Sequence, residues 1–459
     1  MATVSSQNTV NMRKMLPVLA ASTLGTSIEW YDFFLFGFLS ATVFPKVFFP
    51  NLDPVTGTIL SFLTNFFGFA GRPIGGAFFG WFGDRVGRKS TLIATLLLMG
   101  IATFLMGVLP SAAAIGVAAP ILLTILRILQ GAGVGGEWGG SVLMSLEYGD
   151  NRRRGFWASW PQTGVPIGLA LAAIAVIVFK AIYGAAAFAS PSFAGGWRIP
   201  FYLSAALIIV GLFIRLRILD TPLFNKVKQE NRVARAPLVE VIRYNWREIV
   251  LSALARSGEQ APFYILTTFV LSYGVNALKI NVNVLYAGLI TAAVIAFFTM
   301  PTFSYLSDLV GRKRWFLGAS VVMAVIAYPY FLLLETKNPV VVFLTIMVSV
   351  GFVHAAHYGP EAALISERFG TKLRYTGASL GYQLASLTAG GPAPIIATYL
   401  LANHAAFAPG LPGYALIAFY IILMAAVSFF AVLGLREYAQ QDVASDVGEP
   451  RAGLAPATE

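Results

Sequence analysis

Apolar stretches long enough to cross a lipid bilayer alternate with short polar links along the whole chain. A membrane-spanning helix needs about 20 mostly apolar residues, and we find twelve such stretches in the 459 residues. They lie at approximately 16–43, 58–82, 91–110, 117–146, 156–180, 200–219, 248–274, 284–306, 315–334, 338–364, 376–402 and 412–435. The pattern predicts an all-α polytopic membrane protein with twelve transmembrane helices.

One long polar link divides these segments into six and six. Residues 220–247 form this link, so we predict one bundle over 16–219 and a second over 248–436. Residues 1–15 and 437–459 are predicted to be polar tails, and the second tail has the small and charged residues typical of disorder.

The distribution of charge predicts the orientation. Only 12% of the residues are charged, against about 25% in soluble proteins. The net charge of +11 comes mainly from Arg and Lys in the links that follow even-numbered segments. The positive-inside rule places both termini and the central link in the cytoplasm, so we expect a multi-pass protein of a bacterial inner membrane. No basic run is interleaved with aromatic residues, so we expect no nucleic-acid partner.

The residues that would support an enzyme are missing from the sequence. The chain has no cysteine, which excludes disulfides and thiolate sites. Its three histidines, His354, His357 and His404, are too scattered to suggest a metal site. We find no phosphate-binding loop and no nucleophile elbow. We therefore expect neither an enzyme nor a metal or cofactor.

The chain contains an internal repeat. "GDRVGRKS" (83–90) matches "SDLVGRKR" (307–314), and "SLEYGDNRRRG" (145–155) matches "ISERFGTKLRYTG" (365–377). The matched positions are 220 to 224 residues apart and keep the same order. They predict two similar halves related by an axis along the membrane normal, with a substrate site between them.

Further motifs carry a family resemblance. They are "GTSIEWYDFFLFG" (25–37), "GRPIGGAFFGWFGDRVGRK" (71–89), "RILQGAGVGGEWGG" (127–140) and "GGWRIPF" (195–201). With them the chain resembles the major facilitator superfamily over nearly its whole length and, more narrowly, the metabolite:proton symporter family. The resemblance implies alternating access driven by a proton gradient. Known members carry shikimate, α-ketoglutarate, citrate, or zwitterions such as proline and betaines.

Four acidic residues at membrane depth are candidates for taking up the coupling proton. Glu29 and Asp32 share a helix face, and Asp32 is the favoured carrier. Glu259 lies at the matching depth in the seventh segment, and Glu137 lies among glycines in the fourth. A carboxylate at this depth costs roughly 2.5–3.5 kcal/mol on insertion scales, which favours a functional role. The alternative for each is a buried ion pair that holds two helices together.

Two arginines are candidates for binding a substrate carboxylate. Arg256 and Arg127 can each donate two parallel hydrogen bonds to a carboxylate, and the resemblance places the helix of Arg256 beside a central cavity. Arg72 is interpreted instead as structural. The other candidate contacts are polar or aromatic residues on the same segments: Gln162, Gln383, Tyr264, Tyr382, Trp160, Tyr31, His354 and His357. Packing or ordinary hydrogen bonding is the alternative for these.

A charge network is predicted at the cytoplasmic face. Its first copy is Asp84, Arg88, Glu147 and Arg154, and its second is Asp308, Arg312, Glu367 and Arg374. The resemblance implies that these residues latch the outward-open state.

These features predict a proton-coupled symporter that imports a small organic acid. The acid is a mono- or dicarboxylate, aromatic and cyclic acids included, and the protein is expected to act as a monomer in the lipid bilayer. The alternative is a symporter of a zwitterion such as proline or betaine. An antiporter is less favoured because "GVPIGLALA" (164–172) matches the antiporter motif poorly. A transporter-like sensor is less favoured because we find no output domain.

Overall fold

Twelve helical segments run through the structure, and we call each of them a path because several consist of two or more consecutive helices. A computed structural model of the chain describes residues 12–86, 88–217, 237–370 and 373–439. The first six paths are α1 Met12–Thr42, α2 Pro54–Val86, α3 Arg88–Val108, α4 Ala118–Gly135 with Trp138–Tyr148, α5 Arg154–Gln162 with Gly164–Phe188, and α6 Ile199–Arg217.

The other six paths form the C-terminal half. They are α7 Pro237–Tyr264 with Ile265–Phe269, Val270–Ser272 and Tyr273–Ala277; α8 Val282–Val310; α9 Arg312–Glu335; α10 Pro339–Val348 with Ser349–His354 and Ala355–Ser366; α11 Arg374–Ala385 with Ser386–Gly390 and Ala393–Ala402; and α12 Ala415–Leu433. Short helices lie in the links at Phe44–Phe48, Ala112–Ile115, Asn151–Arg153, Gly196–Arg198 and His404–Phe407. The predicted all-α, twelve-helix fold is confirmed.

Eight of the twelve paths are long and apolar enough, over the described residues, to cross a membrane. The other four are α1, α2, α3 and α7. Three of these carry charged side chains at membrane depth, namely Glu29 and Asp32 on α1, Arg72 on α2, and Arg256 and Glu259 on α7. The paths with the weakest apolar signal therefore hold many of the candidate functional residues.

Local sequence determines where the helices of the second half begin. The side chain of Asn281 accepts a hydrogen bond from the N–H of Asn283 and so caps α8. Asn338 caps α10 in the same way, with Pro339 at the first helical position. Gly311 joins α8 to α9 with φ of 102°, a conformation that favours glycine. This requirement explains the glycine in "SDLVGRKR".

Glycines bring α2 and α4 into backbone contact in the N-terminal half. A Cβ atom on Gly131 would lie 1.9 Å from the carbonyl oxygen of Gly68, and one on Gly135 would lie 1.9 Å from that of Arg72. On the facing helix, a Cβ on Gly75 would meet the carbonyl oxygen of Ala132 at 1.8 Å. Small residues allow this close helix packing within a membrane, and they hold Arg72 tightly against α4.

The two halves touch on both sides of the molecule. Rings of the two halves meet in the parts of α1, α7 and α8 that lie farther from the links rich in Arg. The ring centroids of Phe34 and Phe263 are 5.7 Å apart, and those of Phe38 and Tyr286 are 5.5 Å apart. Helix α5 packs on α8, and α2 packs on α11. These contacts close the space between the halves on the side away from the links rich in Arg.

The predicted domain boundaries stay a prediction, because most of the central link lies outside the described residues.

Four wide, π-type turns interrupt the helices of the C-terminal half. Two lie in α7, at Ile265–Phe269 and Tyr273–Ala277, one lies in α10 at Ser349–His354, and one lies in α11 at Ser386–Gly390. Within the described residues the N-terminal half has none. Turns of this kind are frequent at functional sites.

Candidate functional site

A buried cluster of charged side chains joins α7 to α10. Arg256 donates through Nε to Glu361, and the same nitrogen lies 3.6 Å from Oε2 of Glu259. Nε2 of His354 lies 2.7 Å from Oε1 of Glu259. Each of the four side chains is 1% exposed. The structure thus brings together three residues predicted as site residues and adds Glu361.

The carboxyl groups of Glu259 and Glu361 are neighbours. They are close enough to interact through a side-chain hydrogen bond. Oε2 of each has no hydrogen-bond donor among the described residues. Because ionised carboxylates only accept hydrogen bonds, one proton held between the two groups would satisfy both of these oxygens.

Tyr382 connects the cluster to the N-terminal half. The guanidinium carbon of Arg256 lies 3.2 Å from the centroid of the Tyr382 ring, and Trp138 of α4 stacks on that ring at 3.7 Å. Oε1 of Gln162, on α5, accepts hydrogen bonds from Nε1 of Trp138 and from the hydroxyl of Tyr358, both at 3.0 Å. Movement of one half against the other would disturb these contacts and, through them, Arg256.

The internal repeat relates these bridging residues in pairs. Trp138 and Tyr358 are 220 residues apart, and so are Gln162 and Tyr382. All four meet at the boundary between the halves, where the Tyr358 and Tyr382 hydroxyls are 3.0 Å apart. Equivalent positions of the two repeats, Trp138 and Gln162 in one half and Tyr358 and Tyr382 in the other, thus form one contact between the halves.

Two other predicted substrate contacts lie near the cluster. Ser386 accepts from Nη1 of Arg256 at 3.0 Å and donates to Oε1 of Gln383 at 3.4 Å. Tyr264 lies about two turns beyond Arg256 on α7. Its ring packs against rings of the N-terminal half.

Three predicted contacts point elsewhere. His357 hydrogen-bonds Ser320 of α9 at 3.1 Å. The hydroxyl of Tyr31 donates to the carbonyl oxygen of Pro200 at 2.8 Å. Trp160 lies against an aromatic ring of α8. Their predicted role in substrate binding stays a prediction.

In the N-terminal half, the predicted acid Asp32 and the predicted arginine Arg127 each hydrogen-bond side chains of that same half. Asp32 accepts a hydrogen bond from Ser204 of α6, and its Oδ2 has no donor among the described residues. Arg127 donates to Oδ1 of Asn65 at 2.5 Å and to Gln130. Asp32 and Arg127 are near enough to interact electrostatically. This polar group is separate from the Arg256 cluster.

Glu29 and Glu137 are also buried, at 4% and 2% exposure, and both take part in polar or electrostatic contacts. Glu137 stands at the break in α4. There the hydroxyl of Tyr375, on α11, donates to the carbonyl oxygen of Gly136 at 2.7 Å. Glu137 is therefore next to a contact between the halves.

Half of the predicted charge network is assembled across the two halves. Arg154 at the start of α5 lies 3.0 Å from Glu367, and Arg312 lies 2.6 Å from Glu367 and 2.8 Å from Asp308. Asp308 also accepts from the backbone N–H of Gly155 at 2.9 Å. A carboxylate at a helix N-terminus is stabilised by the helix dipole, so the network clamps α5 to α8.

Four other residues were predicted to belong to this network, namely Asp84, Arg88, Glu147 and Arg374. The side chains of Asp84, Arg88 and Glu147 lie outside the described residues. Arg374 donates through Nε to the carbonyl oxygen of Phe369 at 3.0 Å, at the start of α11.

The segment after α12 folds back over the same network. The carboxylate of Glu437 accepts from the backbone N–H of Lys313 at 2.8 Å, and Nζ of Lys313 donates to the carbonyl oxygen of Leu433 at 2.7 Å. The carbonyl oxygen of Tyr438 accepts from Nη2 of Arg154 at 3.0 Å. This segment is thus tied to both halves. Residues 440–459 of the predicted tail lie outside the described residues.

Glu367 and the adjacent Arg368 both carry their charges at neutral pH. Burial raises the pKa of Glu367, but the ion pairs with Arg312 and Arg154 outweigh burial and hold that pKa below its ordinary value. Burial lowers the pKa of Arg368 to about 10, although Glu367 is its neighbour. Both groups are therefore ionised at pH 7.

Comparison with known proteins identifies the family. The family model described as "Major Facilitator Superfamily" matches residues 15–394. The chain belongs to the major facilitator superfamily. It is 36% identical over 433 residues to the inner membrane metabolite transport protein YhjE of Escherichia coli K12, covering 93% of this chain and 95% of that protein.

Two further relatives have named substrates. The shikimate transporter of Escherichia coli K12 is 36% identical over 88% of this chain and 92% of its own length. The proline/betaine transporter of the same organism is 30% identical over 95% of this chain and 88% of its own length. The resemblance to metabolite transporters of this superfamily is confirmed, and the chain is a multi-pass membrane transporter rather than an enzyme.

Solved structures agree on the fold. A crystal structure of a D-xylose–proton symporter superposes with a TM-score of 0.67 at 19% identity, covering 95% of this chain and 98% of that chain. An inward-open structure of the xylose transporter XylE from E. coli gives a TM-score of 0.61 at 18% identity, over 94% of this chain and 98% of that chain.

Three central residues of this transporter were not among the predicted site residues. Glu361 was at membrane depth in the sequence, and it shares a helix face with His354, seven residues earlier. Tyr358 and Trp138 are repeat counterparts, which the 220-residue offset could have shown. Aromatic residues make up 14% of the chain, so composition did not distinguish these two.

Proposed function

We propose that this transporter is a proton-coupled symporter that imports a small organic acid by alternating access. The observation that carries the proposal is the buried cluster in which one guanidinium faces two adjacent carboxylates. Arg256 provides one positive charge against Glu259 and Glu361, and His354 completes the group. A buried group of charges is least costly when its net charge is zero, and this cluster reaches zero when it holds one proton.

This charge balance couples substrate and proton in the same direction. A substrate carboxylate that binds Arg256 withdraws the only guanidinium in contact with Glu259 and Glu361 among the described residues. The two carboxyl groups then hold protons more readily, and protonation in turn releases Arg256 for the substrate. Binding of one ligand therefore favours binding of the other, which is the linkage that symport requires.

Alternating access would act on this cluster through Tyr382. Its ring contacts Arg256 in one half and Trp138 in the other. Rotation of the halves separates Trp138 from Tyr382 and exposes the cluster to one side of the membrane at a time. We propose that the face with Arg154 and Arg312 is cytoplasmic, because its links carry most of the Arg and Lys residues. The proton gradient is the driving force, and no cofactor is involved.

A zwitterion is the second candidate substrate. Trp138, Tyr358 and Tyr382 meet close to Glu259 and Glu361. Separation of Trp138 from Tyr382 would free ring faces that suit a quaternary ammonium group. The 30% identity to a proline/betaine transporter agrees with this alternative.

Uptake into proteoliposomes tests the proposal. Purified protein is reconstituted, and labelled mono- and dicarboxylates, aromatic acids, proline and glycine betaine are offered with and without an inwardly directed proton gradient. We expect an organic acid to accumulate only with the gradient and to stop when a protonophore is added. Accumulation of betaine or proline alone would select the zwitterion, and accumulation independent of the gradient would refute symport.

A further inference from the structure

Among the described residues, Arg72 is a buried cation without a counter-charge in contact. It lies on α2 and is 1% exposed. None of its three guanidinium nitrogens has a hydrogen-bond partner in the part of the chain that the structure describes. Instead the guanidinium carbon lies 5.3, 4.3 and 4.9 Å from the ring centroids of Trp30, Phe33 and Phe69.

This arrangement is costly, because a buried charge is normally paired and hydrogen-bonded. Contacts with aromatic faces offset only part of the cost. Arg198 of the same half shows the usual arrangement, since it donates to the carbonyl oxygens of Gly107 at 2.8 Å, Leu109 at 2.6 Å and Ser192 at 3.2 Å. A structural arginine is tied to its surroundings in this way, and Arg72 is not.

A second unsatisfied polar group lies beside Arg72. The hydroxyl of Tyr264, from α7 of the other half, has no hydrogen-bond partner among the described residues. The Tyr264 ring is 5.9 Å from that of Phe33 and 4.9 Å from that of Phe69, the same two rings that Arg72 contacts. Arg72 and Tyr264 also interact electrostatically. A cation and a hydroxyl donor, both unpaired, therefore converge from the two halves.

Arg127 adds positive charge at the same place. Its guanidinium carbon lies 4.2 Å from the centroid of the Phe33 ring, which places two arginines on one ring. The side chains to which Arg127 donates, Asn65 and Gln130, are neutral. The Phe33 ring therefore has two guanidinium groups beside it, of which Arg127 has Asp32 as an acidic neighbour. The Arg256 cluster, by contrast, has two carboxyl groups for one guanidinium.

We propose that Arg72 and Tyr264 form a second anion subsite, so that the substrate carries two acidic groups. One carboxylate binds Arg256 and the other binds Arg72, with the Tyr264 hydroxyl as an additional donor. The subsite is covered in this closed structure, and separation of the halves moves Tyr264 away from Phe33 and Phe69 and uncovers the guanidinium. This inference rests on the proposed transport of an organic acid and narrows it to dicarboxylates.

Selectivity between mono- and dicarboxylates tests the subsite. Binding of glutarate, adipate and butyrate to purified protein is measured by calorimetry, and uptake of the same acids is measured in proteoliposomes. The wild-type chain should bind one of the two dicarboxylates at least about tenfold more tightly than butyrate, because the second carboxylate adds a charge-assisted hydrogen bond. Arg72→Gln should remove this preference and leave butyrate binding within about threefold of wild type.

A stability measurement separates binding from a structural role. Arg72→Gln should unfold at the same temperature as wild type or at a higher one, since it removes an unpaired buried charge. Arg198→Gln is the matched control and should unfold at a lower temperature, because three carbonyl groups lose their donor. A fall in unfolding temperature for Arg72→Gln as large as for Arg198→Gln would overturn the proposal.

The remaining outcomes are also decisive. An unchanged preference for dicarboxylates in Arg72→Gln overturns the subsite even if acid uptake is proton-driven. If no acid shows proton-driven uptake but the binding of glutarate or adipate still depends on Arg72, the proposed symport is refuted and the subsite stands. If Arg72→Gln does not fold, Tyr264→Phe takes its place, since it removes one hydroxyl and should weaken binding of the preferred dicarboxylate by about threefold to tenfold. No change in that variant counts against the subsite.

Discussion

At the scale of single residues, the direction of each side chain separates the buried acids into two groups. Glu259 and Glu361 face each other and Arg256, whereas Asp32 accepts a hydrogen bond from Ser204 on a neighbouring helix of its own half. Among the described residues, only the first pair shares a guanidinium that also touches the boundary between the halves. We therefore propose Glu259 and Glu361 as the first candidates for proton coupling.

We predict that Glu259→Gln and Glu361→Gln uncouple transport from the proton gradient. Each variant removes one of the two groups that can hold the proton but leaves Arg256 in place. Accumulation of labelled acid driven by the gradient should fall by about tenfold or more, whereas exchange of labelled for unlabelled acid without a gradient should stay within about threefold of wild type.

The control is Glu335→Gln, which removes a carboxylate at the end of α9 that accepts from the hydroxyl of Tyr273 at 2.6 Å. This variant should accumulate acid as wild type does. Full accumulation by both Glu259→Gln and Glu361→Gln would transfer the proton-carrying role to another acid, with Asp32 as the first to examine.

The sequence was informative about which residue types lie at membrane depth and less so about where they point. The acids of α1 and α7, and Arg256, were found because a charged residue in an apolar stretch is conspicuous. Whether Asp32 faces Ser204 or the other half depends on how α1 is rotated about its axis, and packing against distant helices decides that rotation. His354 and His357 show the same limit, since one meets Glu259 and the other meets Ser320.

At the scale of helices, backbone contact between α2 and α4 positions the buried arginines. The glycines at 68, 71, 75, 131 and 135 let the two helices approach until backbone atoms touch. Arg72 lies on α2 and Arg127 on α4, so this spacing controls the distance between the two cations. Most helix bounds were predictable to within a few residues, as for α8, which was expected at 284–306 and runs Val282–Val310. The exceptions are α7, expected from 248 but starting at Pro237, and α5, expected to end at 180 but ending at Phe188.

We predict that Gly135→Ala destabilises the protein. The new methyl group would lie 1.9 Å from the carbonyl oxygen of Arg72, a backbone atom that cannot move without shifting α2. Overpacking of this kind costs about 1–3 kcal/mol, so the unfolding temperature in detergent should fall.

Gly318→Ala is the matched control, because no atom lies within 4 Å of its Cβ position. Removing a helical glycine there should stabilise by about 1 kcal/mol, and equal effects of the two changes would contradict the packing argument.

At the scale of the whole molecule, contacts on both faces hold the halves together. Aromatic rings such as Phe34 and Phe263 meet on one face. On the other face the ion pair of Arg154 with Glu367 joins the halves, and Arg312 of the C-terminal half holds Glu367 in place. The proposed alternating access requires these two sets of contacts to break in turn. The closed state is therefore one of several, and its population depends on the strength of each set.

We predict that Arg154→Gln shifts this population toward opening on the proposed cytoplasmic face. The variant loses the 3.0 Å contact with Glu367 and the bond to the carbonyl oxygen of Tyr438. Distances between spin labels placed on the two halves at that face should lengthen. Arg152→Gln is the control, because Arg152 is exposed and outside the network. Unchanged distances in Arg154→Gln would show that the network does not hold the face closed.

The same contacts predict a response to acid. The pKa of Glu367 lies below its ordinary value of 4.5, so its contribution to closure is complete above that value and is lost as the pH falls through the lowered pKa. The label distances on this face should be constant from about pH 5 to 8 and lengthen only in stronger acid. Opening near pH 6 would implicate a different group.

The wide turns of the C-terminal half have a mechanical consequence. Each holds one residue more than an ordinary helical turn would, and two of them contain His354 and Ser386, partners of Glu259 and Arg256. If such a turn tightens to the regular pitch, every residue beyond it rotates by about 100° about the helix axis. A change of pitch in these turns would therefore reorient His354 or Ser386 within the C-terminal half. The N-terminal half has no such turn among its described residues, so we expect its helices to move without this change of pitch.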